Sequence, residues 1–246
     1  MAAMARVAQE LLPEHEDGRL AALRRYEVLD TPADGAFDRI TRLASVMLDM
    51  PIAIVSLVDH DRIWFKSSVG LDGVEELDRD PGLCASAILA DEPWIIDDAK
   101  ADPRALANPL VAGEFGLRFY AGCALRTHDG FNLGTLCVID KTPRQLTDEQ
   151  VRVLDDLAAI VVHELELRLA ARRQSRRATE LNDDVVQALA IAKGRLQVGD
   201  ADEAMNSLEQ ALVASKRILG ELVEDIPTLR RTSPTPYVRS AHAFLI

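Results

Sequence analysis

Three thiols and five imidazoles are the most reactive side chains of this 246-residue sequence. Thiolates serve as nucleophiles, redox couples or soft metal ligands, and those roles leave spacing signatures such as CxxC or an even-numbered framework. Cys84, Cys123 and Cys137 show neither, and each sits inside an apolar run. They are expected to be buried and to pack as small hydrophobes. His60 and His128 fall in turn segments and are expected at the surface, while His15 and His242 lie near the ends. His163 falls in the middle of a helical pattern and is expected to be a satisfied structural residue. No histidine has a partner at ligand spacing, so neither a metal nor another cofactor is expected.

Acidic residues outnumber basic ones 40 to 28, for a formal charge of −12. That balance disfavours nucleic acid and anionic membranes as partners. Arg172, Arg173, Arg176 and Arg177 form one local basic cluster, expected to be a solvated helix face. No apolar run is long enough to span a bilayer. The first twenty residues carry Glu10, Glu14, Glu16 and Asp17 and lack the apolar stretch of a secretory signal, so a cytoplasmic location is expected.

The reactive groups must be positioned by the elements around them. Residues 5–29 read as a helix broken near Pro13 and Gly18. Phe37, Ile40, Leu43, Ala44 and Met47 recur at helical spacing over 35–48. IAIVSLVD and RIWFKSSVG then read as an antiparallel hairpin, and CASAILA as one or two helical turns. WIID is a short strand, and DPRALANPLV a loop with a small helix. RFYAGCALR and NLGTLCVID are strands joined through Asp129-Gly130, a strong hairpin signal. Thr147 and Gln150 form a capping box that opens a long helix. Its seam Val151, Leu154, Ala158, Val161, Leu165 is followed by a second, Leu181, Val185, Ala188, Ala192, Leu196. Gly199 stops that helix, Asp200 caps the next, and Ala204, Leu208, Ala211, Ser215, Ile218 and Leu222 continue the pattern until Pro227. The expected class is α+β, an antiparallel sheet with helices packed on one face, followed by an αα-hairpin. Residues 1–170 are expected to form one domain, 171–226 the hairpin and 227–246 a flexible tail.

On the stretches RYEVLDTPADGAFDRITRLA, PIAIVSLVDHDRIWFKSSVGL, DPRALANPLV, RFYAGCAL and LGTLCVIDKTPRQLTDEQ, the first 170 residues resemble bacterial GAF domains of sensor kinases and cyclic di-GMP enzymes. That resemblance implies a pocket on the sheet face opposite the helices, closed by the segment between strands. Trp64, Lys66, Cys84, Ser86 and Tyr120 are the candidate liners for an unidentified small molecule. The subgroup usually has a histidine where Ser86 stands, and the signature of cyclic-nucleotide GAF domains is absent.

The hairpin resembles the dimerisation and phosphoacceptor segment of histidine kinases. Its motif, Glu-Leu-His-Asp with Gln four residues after the His, reads here Glu180-Leu181-Asn182-Asp183 with Gln187. An amide nitrogen has no free lone pair and cannot replace the imidazole nucleophile. Only 20 residues follow Ile226, too few for an ATP-binding domain. The expectation is therefore a homodimeric sensory or regulatory protein with no catalytic residues, relaying to another signalling protein such as a kinase, a response regulator or an anti-sigma type partner. A structural adaptor with a vestigial pocket, or a thiol-dependent GAF enzyme like the methionine sulfoxide reductases, are the alternatives.

Overall fold

The computed structural model describes residues 13, 15–80 and 82–224. The expected front of the first helix and the tail from Pro227 lie outside them. The chain divides into two compact units, 1–170 and 171–246.

The first unit is built on six strands: β1 (Ile52–Val58), β2 (Arg62–Val69), β3 (Glu76–Asp78), β4 (Trp94–Ile96), β5 (Phe119–Arg126) and β6 (Asn132–Asp140). They form one sheet in the order β3-β2-β1-β6-β5-β4, and every pairing is antiparallel. Strand β1 is buried along its whole length and β6 from Leu133 onward, which means that both sheet faces are covered.

One face carries helices α1 (Glu16–Arg25) and α2 (Gly35–Leu48) and the start of a long helix, α5 (Asp148–Gln197). Phe37, Ile40, Ala44 and Leu48 of α2 and Leu154, Leu157, Ala158, Val161 and Leu165 of α5 pack there on Val55, Leu57, Ala121 and Val138. These spacings of three and four residues are the apolar stripes the sequence displays. The helix starts are fixed by side chains. Asp34 accepts the Ala36 N–H at 2.9 Å. Thr147 and Gln150 exchange bonds, Thr147 N–H to Gln150 Oε1 at 3.0 Å and Gln150 N–H to Thr147 Oγ1 at 3.2 Å.

The other face is covered by the short helices α3 (Leu83–Ala87) and α4 (Pro109–Ala112) and the loops around them. Ile54, Ile63, Phe65, Tyr120, Cys137 and Ile139 of the sheet meet Leu83, Cys84, Ala87, Val111 and Leu117 in a second apolar core. The fold is thus the expected GAF-like α+β sheet, with α1, α2 and α5 on one face and only short elements on the other. Strand β3 is absent from the sequence reading, because three residues with exposed acidic ends carry no alternation to detect.

In the second unit, the C-terminal part of α5 is followed by helix α6 (Ala201–Glu224) after a turn at Gly199. Gly199 has φ +85, which a glycine adopts without a Cβ clash. Asp200 Oδ1 then accepts the Glu203 N–H at 3.2 Å. Ala188, Ala192, Ala204 and Ile218 are buried, whereas Val186, Leu189, Leu196, Leu212 and Val213 are exposed.

Candidate functional site

The five expected pocket residues do not converge. A bulge in β2 explains the split: Val55 pairs with Ser67 and Ser56 with Phe65, which leaves Lys66 as the extra residue. Trp64 therefore points at the helices, within the core of Phe37 and Leu165. Lys66 stays on that side, its Nζ donating to Thr31 Oγ1 and to the Pro32 carbonyl, both at 2.8 Å. It also lies 5.5 Å from the Phe37 ring centre and 5.6 Å from that of Trp64. Both residues border a different cleft, beside Thr31, Asp38 and Glu75. Cys84, Ser86 and Tyr120 belong to the opposite face.

On that face two features meet at α3. The outer one is a cleft of about 670 Å³ lined by His60, Asp61, Asp78, Arg79, Asp80, Leu83, Ala85, Ser86, Arg104 and Asn108 among others. Arg79 is held by Glu16 and by the carbonyls of Asp59 and His60, and its Nη2 is buried without a hydrogen-bond partner. Arg104 chelates Asp102 and lies 5.3 Å from the Trp94 ring centre. The arrangement offers two guanidinium groups, three carboxylates and a hydroxyl at one mouth, suited to a small polar molecule.

The inner feature is a buried polar cluster beneath α3. Cys84 Sγ lies 3.8 Å from Cys137 Sγ, and the Tyr120 hydroxyl donates to Cys84 Sγ at 3.6 Å. Ser56 Oγ and Thr135 Oγ1 sit beside them, 2.9 Å apart. Hydrogen bonding from Cys137 first, then from Ser56, Thr135 and Tyr120, lowers the Cys84 thiol against the opposing effect of burial. Cys137 is raised, by its hydrogen bond to Cys84, by burial and by the neighbouring charge. Cys123 is on the helix side, where burial pushes it up to about 12. The thiols are buried as expected, but two of them are partners rather than separate hydrophobes.

Sequence reasoning missed Arg79, Arg104, Ser56, Thr135 and the thiol pairing. Only the polar Asp78-Arg79-Asp80 run marked the cleft, and long-range pairings such as Ser56 with Thr135 leave no local trace. Among the described residues no group of three or more His, Cys, Asp or Glu is arranged to hold a metal ion. No described helix is long and apolar enough to cross a membrane. His163, expected to be a satisfied structural residue of the helix that covers the sheet, is exposed, because its neighbours Val161 and Leu165 take the inward positions of α5. His60 and His128 are exposed as expected. Asn182, Asp183 and Gln187 all lie on the exposed side of α5 in the second unit.

Residues 32–165 match the GAF domain family. The chain belongs to that family. A cyclic di-GMP phosphodiesterase of Pseudomonas aeruginosa is 42% identical over 151 residues, which is 61% of this chain and 26% of that protein. The chain thus spans about a quarter of this relative's length. Among solved structures, the GAF domain of a phosphoenolpyruvate-protein phosphotransferase from Coxiella burnetii is 20% identical with a TM-score of 0.48, covering 63% of this chain and 96% of that one. The type II free methionine-R-sulfoxide reductase of Thermoplasma acidophilum is 15% identical with a TM-score of 0.45, covering 53% and 89%.

The phosphodiesterase relative overturns the expectation of a non-catalytic protein that is not an enzyme. That expectation rested on the loss of kinase chemistry at Asn182 and kept a thiol-dependent enzyme only as an alternative, and the loss of one nucleophile says nothing about a different reaction.

Proposed function

We propose that this GAF protein works in cyclic di-GMP hydrolysis, as the ligand-responsive module of a phosphodiesterase, and that the cleft beside α3 receives a small polar effector. The observation that carries the reading is the 42% identity to the cyclic di-GMP phosphodiesterase over 151 residues. The cleft supports it by gathering Arg79, Arg104, Ser86 and Asn108 around one opening. Residues 1–170 would be the sensing domain and 171–226 a dimerisation hairpin, in a cytoplasmic homodimer that works with another signalling protein. The likeness to a kinase dimerisation segment lacking its phosphoacceptor at Asn182 fits that role, since the exposed apolar residues of α5 and α6 ask for a partner surface.

The test has two arms. The purified chain, with magnesium or manganese, is incubated with cyclic di-GMP, and the linear dinucleotide is followed by chromatography. In parallel, cyclic di-GMP is measured in cells with and without the gene. Hydrolysis, or a rise of cyclic di-GMP in the deletion strain, is expected. No product in the first arm together with an unchanged level in the second overturns the proposal.

A further inference from the structure

Nothing in the phosphodiesterase reading uses the cluster beneath α3, which unites three features. Two sulfurs lie 3.8 Å apart, so a shift of roughly 2 Å brings them to disulfide bonding distance. Three hydroxyls, of Tyr120, Ser56 and Thr135, surround the thiols in an otherwise apolar core. The backbone makes room for this grouping. A Cβ on Gly122 would stand 2.5 Å from the Tyr120 hydroxyl, so only glycine leaves that oxygen free to rest over the sulfurs.

We propose that Cys84 and Cys137 are a reversible dithiol–disulfide couple that responds to hydroperoxides. The Cys84 thiolate attacks the terminal peroxide oxygen. An S–O bond forms, the O–O bond breaks, and the departing alkoxide or hydroxide takes a proton to become an alcohol or water. The Cys137 sulfur then attacks Cys84 Sγ. The S–S bond forms, the S–O bond breaks, and the hydroxide leaves as water with the Cys137 proton. Two thiols lose two electrons, and the hydroperoxide is reduced to an alcohol and water.

Cys84 is the attacking sulfur, because the surrounding donors favour its thiolate while Cys137 is kept protonated. It also lies at the second position of a five-residue helix, between Leu83 and Ala85, which line the outer cleft. A small oxidant in the outer cleft therefore meets the residues on either side of Cys84 first, and a displacement of α3 opens the way to its sulfur. Once formed, the bond ties α3 to β6, so that the cleft wall carrying Ser86 is fixed to the sheet. The redox state of the pair is thereby read at the cleft. Cys123, on the opposite face, is an internal control.

The full chain is treated with hydrogen peroxide, alkylated under denaturing conditions and mapped by mass spectrometry. The expected product has lost the mass of two hydrogen atoms, joins the peptides of Cys84 and Cys137, leaves Cys123 alkylated, and is reversed by dithiothreitol. Cys137→Ser should instead accumulate a sulfenic acid at Cys84 that a cyclic dione traps. A link through Cys123, oxidation at Cys84 without the link in the unaltered chain, or three alkylated thiols after treatment that oxidises glutathione overturns the proposal. The mapping of the unaltered chain decides the matter even where a variant fails to fold.

Discussion

The guanidinium of Arg19 donates to the backbone carbonyl of Val58 at 2.6 Å, and through it α1 is fastened to the end of β1. The same side chain, 2% exposed, grips Glu16 with Nε and Nη2, both at 2.7 Å. Arg79 closes the group from the cleft side. The buried charge of Arg19 is tolerated because each of its three guanidinium nitrogens has an acceptor.

Removing Arg19 should therefore cost far more than an exposed arginine would. Arg19→Leu leaves the Val58 carbonyl without its side-chain donor and Glu16 with Arg79 alone, and a loss of about 3–5 kcal/mol is expected in urea denaturation. A loss below about 1 kcal/mol would show that the contact adds little.

The same group sets an acid limit. Burial pushes Glu16 up, but hydrogen bonds and charge from Arg19 and Arg79 outweigh it and hold the carboxyl at about 2. A depressed carboxylate stabilises the fold above its unfolded value, near 4.5, and that contribution is lost as pH falls toward 2. Thermal melts between pH 6 and pH 3 should show a steeper decline in the parent than in Glu16→Gln. Parallel slopes would remove Glu16 as the cause.

The two tryptophans should report different events. Trp64 is enclosed by the helices, whereas Trp94 meets the Tyr120 ring edge-on at 5.4 Å and carries Arg104 of the cleft. A polar effector entering beside α3 should change emission in Trp64→Phe and leave it unchanged in Trp94→Phe. The reverse pattern would place the effector near Lys66 instead.

Two strand glycines make a graded pair. A Cβ at Gly134 would stand 1.9 Å from the Ser56 carbonyl oxygen, a backbone atom that cannot turn aside. At Gly122 the obstacle is the end of the Tyr120 side chain, which can tilt. Gly134→Ala should lose about 3 kcal/mol and Gly122→Ala nearer 1, by chemical denaturation. Equal losses would mean that the Tyr120 ring is as fixed as the backbone.

Such details mark where sequence stops informing. The capping box at Thr147 and the stripe from Val151 to Leu165 are local, so four or five neighbouring residues suffice to read them. The sheet was legible for the same reason, because Ile52–Val58 and Asn132–Asp140 are long apolar runs bounded by turns. The site was not. One bulge at Lys66 decides which face Trp64 and Lys66 serve, and no residue type announces it. The pairing of Cys84 with Cys137 joins positions 53 residues apart through a fold that must form first.

The hairpin should hold two copies of the chain together. In one copy, α6 and the part of α5 beyond residue 170 bury little beyond Ala188, Ala192, Ala204 and Ile218, while Val186, Leu189, Leu196, Met205, Leu212 and Val213 are more than half exposed. Side chains of this size are worth roughly 1.5–3 kcal/mol each when removed from water. Two hairpins forming a four-helix bundle would cover them, and several such residues can exceed the entropy lost on association. Light scattering at low micromolar concentration should give twice the 27.0 kDa chain mass. Leu212→Glu is the sharper probe than Leu208→Glu, because Leu212 is 55% exposed in one copy whereas Leu208 is half-buried already. The charge at 212 should yield monomers with helical circular dichroism retained. A dimer that survives both substitutions would show that its contact lies outside this hairpin face.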